Sequence, residues 1–464
     1  MRHTSPPVAN QPLSRPKYWG DEKIWFGFGM NMQFWCPSVL TERSLKGCVG
    51  RESCLISQTW AASQLPEKVN REFPNLEYAT PDVGSRYIHN VLQMCSYCPQ
   101  EAVALLRIVF AETIKLDIRV ADMESRNAAE MDNLAYFSGI GSNDLDTLKS
   151  DLKTCLDSYM MTILVFIRRC CFGEGARLNV ESSRMLYLSL IQIFREIILP
   201  CDGCRSVQFA MFYLCSVNKN YCLHFLEFLW SEFEKPSIPT RLKMSCMSYL
   251  ASFVTRHQFV DIELVKQCLD CWKQHIHRYM QDHEESAHSV SPFVHRSFYA
   301  VCQAAFYLIA FRIADFVVNE AGLNFLKSLN LQRIVHCRLN PLRFVNHIVL
   351  ENFTSVTRSY QLAYCDTIVE RNKRLLMYEA FMPGEEQEIV LDQTTTHFPF
   401  DPCFLPRTNT AFVKRYYRDY EVLSAQTNVS GDEERVGRQS SSDLKDFMMY
   451  NLAPGFRRSI GNGS

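Results

Sequence analysis

The feature that most constrains this chain is the recurrence of apolar side chains every three or four residues from about residue 67 onward. Apolar residues at this spacing lie on one face of an α-helix, and that face must be buried against another element. The clearest alternation of the kind found in β-strands is confined to the short segment 388–392. The pattern therefore predicts an all-α fold.

Eleven segments show the helical pattern, and three of them begin with a proline. Pro239, Pro292 and Pro341 suit a first helical turn, where the missing N–H costs nothing. The predicted helices cover residues 85–98, 102–116, 145–172, 182–199, 206–217, 221–234, 239–257, 262–282, 292–318, 324–337 and 341–374. Successive helices pair at intervals of roughly 40 residues, as in HEAT and armadillo repeats. Because each pair leaves an apolar face for the next pair to cover, the prediction is a helical-repeat solenoid.

Four regions differ in composition. Residues 1–66 contain four tryptophans and no sustained period, and are predicted to be an irregular lead. Residues 67–378 form the predicted repeat domain, with a polar, solvated insertion at about 117–144. Residues 379–425 include the proline-punctuated sequence FPFDPC and are predicted to be a short extended segment. Residues 426–464 are polar and rich in Ser, Gly, Asp and Arg, which predicts a disordered tail.

Composition argues against several classes of protein. A net charge of −1 leaves no large cationic excess for gripping DNA phosphates, so strong direct DNA binding is not expected. The 19 cysteines are odd in number, and many lie in apolar helical runs, which favours free thiols in a reducing compartment over a disulfide scaffold. Residues 1–20 are polar, so no secretory signal is expected. The longest apolar stretches, 159–167 and 298–311, are shorter than the ~20 residues that span a bilayer, and no membrane association is predicted.

Two groups of side chains have the composition of metal sites. Three C-x-x-C spacings occur, at Cys95/Cys98, Cys201/Cys204 and Cys268/Cys271. They stand far apart in the sequence, unlike a compact zinc ribbon, and chance spacing in a cysteine-rich chain is favoured over structural zinc. A second cluster comprises His275, His277, His283, His288, Glu284 and Glu285. A helix end followed by a solvent-exposed loop is favoured there over a metal site, since side chains two residues apart on a helix point in different directions. No catalytic or phosphate-binding motif is found, so no enzyme activity, metal or cofactor is predicted.

Seven segments stand in one order along the chain. They are VQFAMFYLC at 207–215, FLEFLW at 225–230, YLASFVTR at 249–256, FYAVCQAAFY with FR at 298–312, LNPL at 339–342, IVERN at 368–372 and FPFDPC at 398–403. In this combination the chain resembles the TIF-IA family of RNA polymerase I-specific transcription initiation factors. The resemblance covers about residues 67–425.

The resemblance implies a non-enzymatic HEAT-repeat protein of the nucleus and nucleolus that acts in ribosomal RNA synthesis. It implies binding to RNA polymerase I near the stalk and dock regions, and bridging to the core promoter factor with its TBP-associated subunits on ribosomal DNA. Homodimerisation of the free protein is left open. The alternative function is a helical-repeat scaffold or importin-like adaptor with another protein cargo.

The resemblance also implies two contact sites. The polymerase contact falls on Val254, Thr255, Arg256, His257 and Gln258. For Arg256 the alternative is an ordinary solvated arginine at a helix end. The core-factor contact falls on Phe398, Pro399, Phe400, Asp401 and Pro402. Separately, the serine run Ser440, Ser441 and Ser442 is a candidate for phosphorylation, with a merely solubilising tail as the alternative.

Overall fold

The secondary structure of this protein, described here from a computed structural model, is helical. The described residues are 63–125, 142–173, 177–285, 292–381 and 398–420. Among them no β-strand occurs, and the only strand-like pairing is an isolated antiparallel bridge between His257 and Tyr417. The prediction of an all-α fold is confirmed.

Fifteen α-helices have their bounds within the described residues. In chain order they are α1 (Pro81–Tyr97), α2 (Ala102–Ser125), α3 (Ser142–Phe172), α4 (Val180–Ile193), α5 (Phe209–Cys215), α6 (Lys219–Glu234), α7 (Thr240–Arg256), α8 (Ile262–His283), α9 (Arg296–Val317), α10 (Glu320–Ser328), α11 (Leu331–Val335), α12 (Pro341–Phe344), α13 (His347–Ser359), α14 (Asp366–Phe381) and α15 (Pro406–Thr408). Tighter or wider helical turns cover Pro99–Glu101, Phe194–Ile198, Pro292–His295, Asn409–Val413 and Lys414–Tyr416. Residues 63–72 are also helical.

Neighbouring helices pack against each other in sequence order. Helix α1 packs on α2 and α3, α6 packs on α7, and α9 contacts α7, α8 and α13. Every residue from Phe298 to Ile313 is buried, so α9 is surrounded by protein. By length and composition the segment Phe293–Val317 would suffice to cross a membrane, but 83% of its most apolar window lies inside the protein. Its hydrophobicity is that of a central core helix.

Polar residues at the helix starts explain several boundaries. The side chains of Asn179, Asn218, Asp261 and Asn319 each accept a hydrogen bond from a backbone N–H in the first turn of α4, α6, α8 and α10. These N–H groups have no partner inside the helix, so a side-chain acceptor at this position stabilises the helix start.

Two of the predicted helices are wrong in extent, and an asparagine marks one break in each. The predicted helix 324–337 is divided by Asn330, whose φ of 53° is left-handed. The predicted helix 341–374 is divided into α12, α13 and α14, and Asn346 caps the middle one. Asparagine tolerates the left-handed region and caps helices readily, and apolar periodicity does not report either property.

The start of the predicted polar insertion is also wrong. Helix α2 continues through the predicted insertion start at 117 to residue 125, and Val120 and Met123 are buried on it. Asp117 is buried as well. Residues 126–141 of the insertion lie outside the described residues, and residues 142–144 belong to α3. The predicted strand-like segment 388–392, almost all of the predicted lead and the predicted tail also lie outside the described residues.

Candidate functional site

The last described segment, residues 398–420 and here called the strap, crosses the helical body. Residues 398–405 have no regular secondary structure, as predicted for an extended segment. From residue 406 to 416 the strap forms helical turns, which differs from that prediction. The strap packs on α3 through α15, and on α5 through the turn Asn409–Val413.

Phe400 anchors the strap in the core of the body. Its side chain is completely buried. Its ring centroid lies 5.3 Å from that of Phe212, 5.5 Å from Phe253, 5.6 Å from Tyr249 and 5.8 Å from Phe209. All four pairs are edge-on or tilted, the arrangements that aromatic quadrupoles favour. Phe400 is therefore a core residue of the body although it lies far from α5 and α7 in sequence.

The buried backbone of the strap is hydrogen-bonded to the body and to itself. The Nε2 of Gln208 donates to the carbonyl of Pro399 at 2.6 Å. The backbone N–H of Phe400 donates to the Oγ of Ser252 at 3.2 Å, and the hydroxyl of Tyr417 donates to the carbonyl of Phe400 at 3.1 Å. These bonds satisfy polar groups that would otherwise be costly to bury.

Arg256, at the end of α7, contacts both ends of the strap. Its guanidinium is buried and lies over the ring of Phe311 at 4.4 Å and that of Tyr417 at 5.1 Å. It forms an ion pair with Asp401 at 3.7 Å, and its Nη1 donates to the carbonyl of Arg418 at 3.2 Å. A buried guanidinium requires such partners because its desolvation is costly.

The structure thus assigns packing contacts to the residues for which a polymerase contact was predicted. Val254, Thr255, Arg256 and His257 are fully buried, and Gln258 alone is exposed. Gln258 pairs with the strap, since its backbone N–H donates to the carbonyl of residue 416 at 3.0 Å. The alternative interpretation of Arg256 as a solvated helix-end arginine is wrong, because no part of it is exposed.

The residues predicted to contact the core factor are likewise interior. Phe398, Pro399, Phe400 and Asp401 are buried, and Pro402 is half-buried. In this arrangement these side chains hold the strap in place and present little surface to a partner. The predicted phosphorylation residues Ser440, Ser441 and Ser442 lie outside the described residues.

Sequence reasoning missed Asp157, which holds the second half of the strap. This buried carboxylate on α3 accepts hydrogen bonds from the backbone N–H groups of Arg407 and Thr408, both at 2.9 Å. It also accepts one from the Thr408 hydroxyl at 2.6 Å. A negative charge at the first turn of a helix is favourable for the free N–H groups there. The available signal was an aspartate within an apolar helical run.

A cationic surface formed by the strap and the end of α3 was also missed. Four exposed residues, here called the basic face, make it up, and within the described residues none of them forms an ion pair. They are Arg168, Arg169, Lys414 and Arg415.

Tyr213 lies close to both parts of the basic face, the end of α3 and the strap. The ring of Tyr213 on α5 lies 5.0 Å from that of Phe412 and 6.4 Å from that of Tyr416, both on the strap. Burial raises the pKa of Tyr213 to about 12, and the positive charge of Arg168 opposes that rise. Tyr213 therefore lies close to both the strap and the end of α3.

Two of the histidines considered as metal ligands pack against aromatic rings. His275 contacts the rings of Trp230 and Phe233, and burial lowers its pKa to about 4. His283 stacks on Tyr279 at 4.0 Å between ring centroids. His288 lies outside the described residues. Over the part of the chain that the structure describes, no three His, Cys, Asp or Glu side chains are grouped as metal ligands.

Comparison with known proteins identifies the family. Residues 58–425 match the family described as RNA polymerase I specific transcription initiation factor RRN3. The chain belongs to the RRN3 family. This confirms the resemblance inferred from the seven ordered segments, and one relative in Caenorhabditis elegans carries the name tif-1A. The RRN3 family is one of initiation factors, a non-enzymatic role.

Individual relatives show how far the similarity to RRN3 proteins extends. The mouse RNA polymerase I-specific transcription initiation factor RRN3 is 30% identical over 365 residues, which cover 73% of this chain and 55% of the mouse protein. The Schizosaccharomyces pombe relative is 23% identical over 394 residues, covering 77% and 63% of the two chains. This chain thus spans little more than half of the mouse relative.

A solved structure supports the fold. The crystal structure of RNA Polymerase I Transcription Initiation Factor Rrn3 matches this chain with a TM-score of 0.67 at 21% identity. The match covers 79% of this chain and 72% of the solved one. At this identity the likeness shows the fold, and it supports the helical-repeat architecture predicted from the sequence.

Proposed function

We propose that this chain is an RNA polymerase I-specific initiation factor that works as an adaptor in the nucleus and nucleolus. It binds RNA polymerase I near the stalk and dock regions and bridges the enzyme to the core promoter factor with its TBP-associated subunits at ribosomal DNA. The observation that carries the proposal is the family match over residues 58–425, which includes both the helical body and the strap.

We place a partner contact of this adaptor on the basic face. The side chains first considered for contact, from Val254 to His257 and from Phe398 to Asp401, are buried. Lys414 and Arg415, which the docked strap leaves exposed, have no acidic partner among the described residues. Such a surface suits an acidic protein surface, for which charge complementarity accelerates association and suppresses wrong partners.

Because the net charge of the whole chain is −1, the basic face is a local cluster of positive charge. A protein that binds DNA through phosphates generally carries a broad cationic surface, and its affinity falls steeply with salt. The acidic patch of a protein partner is therefore the complement that we propose. A fluorescence-anisotropy titration with duplex DNA of ribosomal-promoter sequence distinguishes the two cases. If the wild-type chain binds this DNA and the basic-face variants do not, the basic face is a DNA-binding surface.

The test is recovery of RNA polymerase I subunits from nuclear extract on the immobilised chain. The wild-type chain is expected to recover them, and the variant Arg168→Glu/Arg169→Glu/Lys414→Glu/Arg415→Glu is expected to lose most of the recovery. The matched control is Arg371→Glu/Lys373→Glu on α14, where both side chains are exposed and have no ion pair within the described residues.

The two parts of the proposal fail separately. If the wild-type chain recovers no polymerase I subunits under conditions in which the mouse relative does, the proposed function is wrong. If the basic-face variant and the α14 control recover equal amounts, the function stands and the location of the contact is wrong. Chromatin mapping across the ribosomal promoter adds a second readout, since an importin-like adaptor would show no enrichment there.

A further inference from the structure

Two cysteines occupy the turn between the end of α4 and the start of α5. Cys204 is completely buried, whereas Cys201 is partly exposed. Cys201 borders a cavity of about 120 Å³, which is also lined by Tyr249 and by Pro399 of the strap. Between the two cysteines, Gly203 has a φ of 95°, a conformation that glycine adopts without strain. The turn thus brings one accessible and one buried thiol together.

The buried thiol is held by polar partners. The Sγ of Cys204 lies 3.2 Å from the Oδ2 of Asp117 and 3.2 Å from the Oε1 of Gln208. The same Asp117 oxygen accepts backbone N–H bonds from Ser206 at 2.7 Å and from Val207 at 3.0 Å. Cys204 is therefore fixed within a network that orders the approach to α5.

The two thiols differ in their chemistry. A hydrogen bond from Cys204 lowers the pKa of the Cys201 thiol. The pKa of Cys204 is raised, mainly by the same hydrogen bond with Cys201 and further by burial and by the nearby carboxylate of Asp117. Since the thiolate is the nucleophile in thiol–disulfide exchange, Cys201 is suited to attack and Cys204 to resolve.

We propose that Cys201 and Cys204 form a reversible disulfide by exchange with a small-molecule disulfide of the oxidised-glutathione class, and that this oxidation loosens the strap. The Cys201 thiolate attacks one sulfur of the small disulfide, which forms a mixed disulfide and releases one thiolate. The Cys204 sulfur then attacks the Cys201 sulfur and displaces the second thiolate. The two thiol protons pass to the two released thiolates, so the protein dithiol is oxidised and the small disulfide is reduced to two thiols.

The structure favours reversibility. The single S–H of Cys204, which has an acceptor in Asp117 or Gln208, exists only in the dithiol, and interactions that stabilise a reduced form make its disulfide easier to reduce. Oxidation removes the S–H donor beside Gln208, and the Nε2 of Gln208 is the donor to the Pro399 carbonyl. The disulfide therefore acts where the strap joins the body.

The chain contains a matched control. Cys268 and Cys271 have the same spacing on α8, and burial raises the pKa of each to about 12. Trypsin releases Cys201 and Cys204 together in the peptide 196–205, and the control pair in the peptide 267–273. The full-length reduced protein is equilibrated with mixtures of reduced and oxidised glutathione, alkylated, digested and analysed by mass spectrometry.

We expect the peptide 196–205 to lose two hydrogens and escape alkylation under conditions in which the peptide 267–273 remains doubly alkylated. If both peptides oxidise in parallel, or if 196–205 stays reduced, the proposal is overturned. Two variants test the assigned roles. Cys204→Ser keeps a hydroxyl donor for Asp117 and is expected to accumulate glutathione on Cys201, whereas Cys201→Ser is expected to take up none at Cys204. The opposite pattern contradicts the order of attack.

The effect on the strap is measured by the rate of tryptic cleavage after Lys414 and Arg415 in native protein. The oxidised wild-type protein is expected to be cleaved at least several-fold faster than the reduced protein. The variant Cys204→Ser, which cannot form the disulfide, is expected to show no such dependence on glutathione. Equal rates for oxidised and reduced wild type would refute the link to the strap. Since the measurement uses no polymerase, its outcome is independent of the proposed function.

Discussion

Replacing Phe400 by alanine is expected to release the strap while the body stays folded. The side chain is completely buried and its ring lies within 6 Å, between centroids, of the rings of Phe209, Phe212, Tyr249 and Phe253. These four neighbours belong to α5 and α7, which also pack on other helices. The cavity left by the substitution therefore falls at the junction between strap and body.

The magnitude follows from the cost of truncating a buried phenylalanine, about 3–5 kcal/mol when the surroundings relax only in part. If this loss applies to docking of the strap, the undocked population rises at least roughly 100-fold, because each 1.4 kcal/mol is about a factor of ten. Cleavage at a site that is reached only after local opening follows the population of the open form when opening and closing are fast.

The assay is limited trypsin digestion of the native protein, with cleavage after Lys414 and Arg415 followed by mass spectrometry. The control is Phe404→Ala on the same strap, where the ring is 37% exposed and lies 5.8 Å from the Lys153 ammonium. For this exposed ring we expect a loss of about 1 kcal/mol or less. Cleavage after Lys266 in α8 reports on unfolding of the body and is expected to stay slow in both variants.

Equal cleavage rates after Lys414 in Phe400→Ala and Phe404→Ala would refute the reasoning, because the buried ring would then contribute no more to docking than the exposed one. Parallel acceleration after Lys266 would refute it differently. That outcome would mean that strap and body unfold as one unit, so the substitution would report on global stability.

Three further predictions follow from single contacts. Asp157→Ala leaves buried donors of the strap without an acceptor, at about 1–3 kcal/mol for each such group, and should accelerate strap cleavage in the same assay. Hydrogen bonding from Arg333 lowers the pKa of Glu284 to about 2 from its ordinary 4.5, so this pair stabilises the fold fully above pH 4.5 and progressively less as the pH falls towards 2. Arg333→Ala should flatten the decline of Tm across that window. A Cβ on Gly84 would collide with the ring of Tyr159, so Gly84→Ala should lower stability by about 1–3 kcal/mol in chemical denaturation.

Apolar periodicity located most helices because each must bury a continuous face. The pattern failed where one residue ends a helix by its backbone conformation. Asn330 adopts a φ of 53° and separates α10 from α11, yet apolar residues continue on both sides of it. The periodic signal was therefore correct about burial and wrong about continuity.

The contacts of the strap were beyond the reach of local patterns. Arg256 and Asp401 pair across the interior, and nothing near either residue in sequence indicates the other. Resemblance to a family marks segments that relatives share, but shared residues can serve packing as well as partner contact. Asp157 was the accessible clue, since an aspartate among buried apolar residues of a helix requires a polar partner.

The buried Arg256–Asp401 pair fixes the position of the strap more than it increases the affinity of the strap for the body. Desolvation of two ions offsets much of their attraction, so a buried pair contributes little net stability, whereas misplacing one partner leaves an unpaired buried charge. A shift of the strap by one residue would separate Asp401 from Arg256 and would also withdraw the Thr408 donors from Asp157. The polar contacts therefore fix the register, and the register determines which strap cations lie beside the end of α3. A partner contact through the basic face would therefore depend on the Arg256–Asp401 pair, although that pair is buried.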